Sequence, residues 1–411
     1  MHHRILAWAL VCIGTAQMVQ AEEAKVWRRT VQVHGFGSQG FVYTDQNNWL
    51  TMNTSHGSGA MTDMGLNVSS QLTDKFRVGA QVYDRNLGQL GQWHPSLDWA
   101  VADFRFTNWL GIRAGKVKTT LGLYNDSQDL DFLHVFALLP QGVYPADLRD
   151  ATIAHAGGDA YGVVALGPRL GDLSYTAYVG HRSDSLYSGY PYLLRQWRTY
   201  LSGIGGLQYG GDLRWNTPVH RLMVGVSRLN QVVSAHGMHV SPFNPAAGLI
   251  PYYESSRQDW TNQFYAHYEI SRFVLEAEYR RQFRDELILN ASSVDLTDVR
   301  TWYVSGTCRV NKKLQLGSYY SHYTVSDLYG GALSAHGVPD LTDTSQPANH
   351  IYDKVISARV DVNRFWDLKV EGHFIDGYAN TGYPAGFYPS QNLSGFKTNT
   401  NALVVRSGFR F

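Results

Sequence analysis

The sequence predicts an all-β fold: a transmembrane antiparallel β-barrel of about sixteen strands, with a long third extracellular loop folded into its lumen. Three observations predict it. Apolar and charged residues alternate with period 2 in segment after segment, as strands with one lipid face and one wet face require. Connections between these segments are alternately short and long. The chain stops on a strand, Leu403-Val404-Val405-Arg406-Ser407-Gly408-Phe409-Arg410-Phe411, whose Leu403, Val405, Ser407, Phe409 and Phe411 face one way and whose Arg406 and Arg410 face the other. A last strand must pair with the first to close a barrel, so Phe409 and Phe411 are expected to serve closure and assembly.

The first residues read as a secretory leader. Met1-His2-His3-Arg4 is cationic, Ile5 to Gly14 is apolar, and Val19-Gln20-Ala21 is a small-x-small cleavage site. The expected organisation is a signal peptide over 1–21 and one barrel domain over 22–411. The apolar run is too short to span a bilayer as a helix. Cys12 falls in the leader behind Val11, which argues against acylation. Its removal leaves Cys308 alone and excludes an intrachain disulfide. Of 35 basic residues only Arg4 lies in the leader, so the mature chain balances 34 basic residues against 34 acidic ones. That balance points to no nucleic-acid partner.

Beyond the leader, no apolar run approaches the ~20 residues of a spanning helix. Mean hydropathy is −0.27, which suits a chain that hides half of each strand from lipid. Aromatic residues make up 13%, and the 26 Tyr and 11 Trp suit membrane interfaces. Strands are expected over 30–44, 62–72, 76–86, 97–107, 110–119, 158–167, 171–181, 206–216, 219–229, 259–270, 272–284, 298–310, 313–325, 350–362, 365–376 and 399–411. In 272–284, for example, Phe273, Leu275, Ala277 and Tyr279 oppose Glu276, Glu278 and Arg280; in 365–376, Trp366, Leu368, Val370 and Phe374 oppose Asp367, Lys369, Glu371 and His373. Charge on the second face belongs in a lumen. Short turns fall at Thr73-Asp74, Asn108-Trp109, Asn216-Thr217-Pro218, Asn311-Lys312 and Asn363-Arg364. Long connections fall near 45–61, 87–96, 120–157, 182–205, 230–258, 285–297, 326–349 and 377–398.

The connection 120–157 carries Asp126, Asp129, Asp131, Asp147 and Asp150, with Arg149, and the apolar run Phe132-Leu133-His134-Val135-Phe136-Ala137-Leu138-Leu139-Pro140. Such a run does not belong bare in water. Folding into the lumen would cover it and place its acids at a constriction; the alternatives are packing on neighbouring extracellular loops or a subunit contact. Arg77, Arg105, Arg113, Arg214, Arg280, Arg359, Arg406 and Arg410 fall on inner faces. Taken singly, each reads as a solvated lumen charge or as a partner of Glu276, Glu278, Asp361 or Glu371. Taken together with the loop acids, they imply a transverse field that aligns polar solutes.

No G-x-S-x-G, H-E-x-x-H or phosphate-binding glycine loop is present. Gly35-Phe36-Gly37-Ser38-Gln39-Gly40 echoes a dinucleotide fingerprint without a following helix, and reads better as close strand packing. The sixteen histidines show no ligand spacing, and neither metal nor cofactor is expected.

The blocks Gly35-Phe36-Gly37-Ser38-Gln39-Gly40-Phe41, Leu97-Asp98-Trp99-Ala100, Gly111-Ile112-Arg113-Ala114-Gly115-Lys116-Val117-Lys118 and Gly122-Leu123-Tyr124-Asn125, with terminal Phe411, resemble the Gram-negative outer-membrane porin superfamily, nearest its phosphate-selective and DcaP-like members. The resemblance implies a bacterial outer-membrane location, homotrimers of sixteen-stranded barrels and an inward third loop. It also implies contact with outer-membrane lipid and lipopolysaccharide, and help from the barrel-assembly machinery during biogenesis. The chain departs from those members in having only Glu22 to Arg29 before the first strand, with no coiled-coil extension, and in lacking a dense lysine ladder. The expected function is a passive diffusion channel for small hydrophilic solutes or ions, not an enzyme. The alternatives are a non-channel barrel that serves as a structural or docking component, or a membrane-embedded hydrolase.

Overall fold

A computed structural model of the chain describes residues 31–240, 248–288, 293–330, 343–379 and 386–411; the expected leader lies outside them. Sixteen strands run in order: β1 (Val31–Thr44), β2 (Ser58–Thr73), β3 (Phe76–Leu87), β4 (Ser96–Thr107), β5 (Leu110–Lys118), β6 (Ala154–Gly167), β7 (Gly171–Ser183), β8 (Thr199–Asn216), β9 (Leu222–Val240), β10 (Leu249–Ile270), β11 (Phe273–Ile288), β12 (Ser293–Arg309), β13 (Leu314–Gly330), β14 (His350–Asp361), β15 (Trp366–Asp376) and β16 (Asn399–Arg410). Each pairs antiparallel with the next, and β16 pairs with β1, so the sheet closes.

Closure is made residue by residue, from Thr44 opposite Ala402 to Phe36 opposite Arg410. Past that register, the Phe411 N–H donates to the Gly35 carbonyl at 2.9 Å and the Gly35 N–H donates back at 3.2 Å. The Phe411 ring lies over Gly35, where a Cβ would collide with it. Glycine here lets the last aromatic cover the first strand.

The two faces sort as the alternation requires. On β11, Phe273, Leu275 and Tyr279 are exposed on the outside, while Glu276, Glu278 and Arg280 are buried inside. On β15, Trp366, Leu368, Val370 and Phe374 face out, and Asp367, Lys369, Glu371 and His373 are buried. A charge on the outer face at mid-membrane would cost ~2–4 kcal/mol, which fixes register against a one-residue slip. Trp109, Trp215, Phe273, Phe365, Trp366, Phe409 and Phe411 ring the short-turn end as an aromatic girdle.

All sixteen expected strands are present, but those from β8 to β13 run further from the short turns than expected. β9 continues to Val240 instead of stopping near 229, and β10 starts at Leu249 instead of 259. The extensions pair in register, with Leu249 opposite Val240 and Thr199 opposite His239. Beyond the apolar band both faces are wet, so the hydropathy period lapses while the backbone ladder continues. The expected connection 182–205 holds a helix that the pattern did not signal, α1 (Gly189–Gln196). It buries Leu193 and Leu194, and its Tyr190 packs against Ile204, Val233 and Ala235.

Deleting Phe411 removes two closing hydrogen bonds and the ring over Gly35. We expect less heat-modifiable, folded protein in gels of unboiled samples, and the same defect from Gly35→Leu. Unchanged folded yield in both variants would contradict this account of closure.

Candidate functional site: residues 119 to 153 and the inner wall

Between β5 and β6 the chain makes no strand. Residues 119–153 form irregular turns with short 3-10 pieces at Asp131–Leu133 and Ala146–Ala151. The apolar run packs inward: Phe136 sits edge-on to Tyr319 beside Val355, and Leu138 joins a cluster with Trp49, Leu50, Phe387 and Val404.

An irregular backbone has no ladder of its own, and each buried N–H and C=O needs a partner. Turns within the segment supply some, such as Leu130 to Ser127 and Tyr144 to Pro140, and inner-wall side chains supply others. Arg214 on β8 donates to the Gly122 carbonyl at 3.1 Å, and Arg280 on β11 to Val143 at 2.6 Å. Arg359 on β14 donates to Phe132 and His134 at 2.7 and 2.8 Å, and Arg406 on β16 to Ala137 at 2.8 Å. Lys369 on β15 donates to Asp131 at 2.6 Å and Phe136 at 3.3 Å, and Arg85 on β3 to Ala146. Carboxylates serve the N–H groups. Glu371 accepts from Ala137 and Leu138 at 2.9 and 3.2 Å, and Glu278 from Leu123 at 3.1 Å. Glu278 also accepts from the Tyr144 and Tyr303 hydroxyls at 2.7 and 2.6 Å. Since β8 and β16 lie half the barrel apart, the segment is bonded to inward-facing groups on opposite walls.

Two charge clusters anchor its acids. Asp131 meets Lys369 at 2.8 Å and Arg406 at 3.1 Å; Arg406 also pairs with Asp63 on β2. Asp129 meets Lys118 and accepts from Gln81 at 2.7 Å, with Arg149 at 3.9 Å. Arg149 donates to Asp98 at 2.7 Å and lies 4.3 Å over the Tyr83 ring. Burial pushes both aspartates up, but Arg406 and Lys369 hold Asp131, and Lys118 and Arg149 hold Asp129, below the usual carboxylate range. Burial prevails at Asp126 and Asp147, whose carboxyls are raised. Burial takes His134 down to about 4, so it is neutral at pH 7.

The residues expected to form a constriction therefore divide. Asp131 with Arg406, and Asp129 with Arg149, are brought together. Arg214, Arg280 and Arg359 reach the segment through its carbonyls and not its acids, and Arg410 lies 5.0 Å over the Phe132 ring. Glu276 accepts from the Tyr124 hydroxyl and lies 2.8 Å from His267 Nδ1. Asp147 accepts from the Tyr388 hydroxyl at 2.7 Å and the Gly386 N–H at 3.2 Å. Arg77, Arg105 and Arg113 do not face the loop acids. Arg77 bonds Ser69, Arg105 lies beside Tyr161, and Arg113 pairs with Asp159 at 2.8 Å. All three lie in the half of their strands nearer the short turns, where the segment does not pass. Lys118, Lys369 and Asp98 belong to the site without having been singled out for it, and Glu278 and Glu371, expected as partners of inner-face arginines, accept instead from the segment's N–H groups. For Lys369 the inner-face period was the available signal. Asp98 had none: it is the extra residue of a bulge, between Trp99 opposite Gln81 and Leu97 opposite Val82.

Glu371→Leu leaves the Ala137 and Leu138 N–H groups buried without a partner. A loss of roughly 2 kcal/mol is expected, read as a lower urea midpoint of the folded barrel in vesicles. An unchanged midpoint would mean that these bonds do not hold the segment.

Neither a family model nor a curated protein matches the chain. Solved structures do. An anion-selective porin from Comamonas acidovorans is 11% identical, with a TM-score of 0.53 over 93% of this chain and 99% of that one. OprB of Pseudomonas putida is 10% identical, with a TM-score of 0.55 over 95% and 96%. OmpT, an outer membrane protein of Vibrio cholerae seen in a trimer form, is 12% identical, with a TM-score of 0.53 over 93% and 99%. At such identities the likeness speaks to fold: this chain has the closed sixteen-stranded barrel fold of the outer-membrane porins.

Proposed function

We propose that the protein is a passive diffusion channel for small hydrophilic solutes or ions in the bacterial outer membrane, exported by the leader over 1–21. The observation that carries this reading is the division of the interior. Segment 119–153 is tied to opposite walls, and spaces lined by charge remain beside it. One is bordered by Arg149, Arg182, Arg280 and Arg284 with Glu254, Asp259 and Glu286. Another is bordered by Asp63, Arg85, Asp131 and Arg406. In this reading the segment is the third loop folded into the lumen, where it narrows the pore. Guanidinium and carboxylate groups on facing borders favour solutes that carry charge or strong dipoles. By analogy with the trimer form of OmpT, we propose a homotrimer, assembled with the barrel-assembly machinery among outer-membrane lipids.

Reconstitution in a planar bilayer tests the proposal. The whole protein should give discrete conductance steps. Removal of residues 126–150 should raise the step size about twofold or more in barrels that still fold. Replacing Asp126, Asp129 and Asp131 by Asn should move the reversal potential toward anions, because Lys118, Arg149, Lys369 and Arg406 each lose a carboxylate partner. Folded protein without conductance steps, in both parent and deletion, would overturn the channel reading.

A further inference from the structure

The outer face is not apolar all the way round. On β9, Ser227 and Leu229 are buried inward, so Arg228 between them faces out; on β12, Val299 and Thr301 are inward and Arg300 faces out with 57% of its side chain exposed. Between them, Trp260 and Asn262 on β10 and Arg281 on β11 also face out. Asn262 is opposite both Arg228 and Arg281, and Arg281 is opposite Arg300, so these residues form one row across four strands. Trp260 organises the row. Arg228 lies 4.8 Å and Arg281 5.4 Å from its ring centroid, and Phe283 stacks on it at 5.7 Å. Asp298 accepts from Arg281 at 3.0 Å and from Arg300 at 2.9 Å, while Arg228 bonds only amide oxygens, of Asn230 and Asn262. Two guanidiniums thus share one carboxylate, and Arg228 meets no carboxylate among the described residues.

The row's height is informative. With a rise of about 3.3 Å per residue and a tilt of about 40°, Arg281 lies about 20 Å above Phe273 at the start of β11. The apolar band of such barrels is about 25 Å tall, so the row sits at the far rim of the band, at head-group level. Comparable outward positions on β2, β3, β7 and β8 hold Leu66, Val82, Val179 and Tyr209. Lys116 on β5 and Lys354 on β14 also face out, but singly, and among the described residues three arginines stand in one outward row only here. A guanidinium fork, held flat by an indole and facing lipid head groups, matches phosphate.

We propose that the outward row Arg228, Arg281 and Arg300 around Trp260 is a docking site for the phosphorylated head group of an outer-leaflet glycolipid. The excess of cations over carboxylates in the row suits an anion, and the apolar surface directly below, with Phe264, Tyr279 and Val304, suits its acyl chains. The inference rests on the outer-membrane placement proposed above and not on channel activity.

The test uses the whole folded protein in detergent, with native mass spectrometry to count bound lipid. Diphosphoryl lipid A should bind, and lipid A stripped of phosphate should bind at least tenfold more weakly. The variant R228Q/R281Q/R300Q should lose the difference between the two lipids, while K116Q, an outward charge on β5, should keep it. Single-channel conductance of the triple variant should match the parent, so a failure of the channel reading would show separately. Equal binding of both lipids by the unaltered protein would overturn the proposal without reliance on any variant. Loss of an oligomer in the triple variant with lipid binding intact would overturn it too, and would assign the row to contact with a second copy.

Discussion

An irregular stretch of backbone that packs against the inner wall of a barrel needs side chains of that wall to satisfy it. That constraint governs how residues 119–153 are held. Residues 119–153 have no strand neighbours to share bonds with, so the N–H and C=O groups of Leu123, Ala137, Leu138, Phe132, His134 and Val143 find theirs on Glu278, Glu371, Arg359 and Arg280. Bonds to charged groups contribute about 1.5–3 kcal/mol each, and leaving such groups unpaired costs as much, so the segment and the wall residues depend on each other. The inner-face arginines that reach the segment, Arg85, Arg214, Arg280, Arg359 and Arg406, are thus committed first to structure.

The same logic explains the two kinds of acid in the segment. Asp129 and Asp131 sit against cations and are held ionised. Asp126 and Asp147 are buried with weaker support, and their carboxyls are raised. A count of aspartates in the sequence cannot tell these apart, because the difference lies in what the fold brings within about 3 Å.

Much of the fold was legible in the residues. Period 2 located every strand, since lipid on one face and charge on the other imposes it; Phe411 marked the closing strand because an aromatic rim is needed there. The pattern failed where its cause ends. Beyond the apolar band the ladders of β9 and β10 continue through Ser234, His236 and Glu254, whose polarity read as loop. Of the site, the long connection between β5 and β6 was legible, and Asp131 and Arg406 were each named without being paired. The carbonyl-binding role of Arg214, Arg280 and Arg359 was not, because backbone acceptors leave no trace in a sequence. Asp98 was lost to a bulge, and α1 to the small size of its apolar face.

The central claim is that residues 121–144 are bonded to the wall and not merely enclosed by it. Hydrogen–deuterium exchange of the folded barrel in detergent, read by mass spectrometry on peptides spanning 121–144, tests it most directly. Amides of Leu123, Ala137 and Leu138 should exchange as slowly as those of neighbouring strands, and Glu371→Leu should speed exchange at 137 and 138 by tenfold or more. Exchange as fast as in the exposed turn at 217–221 would contradict the account.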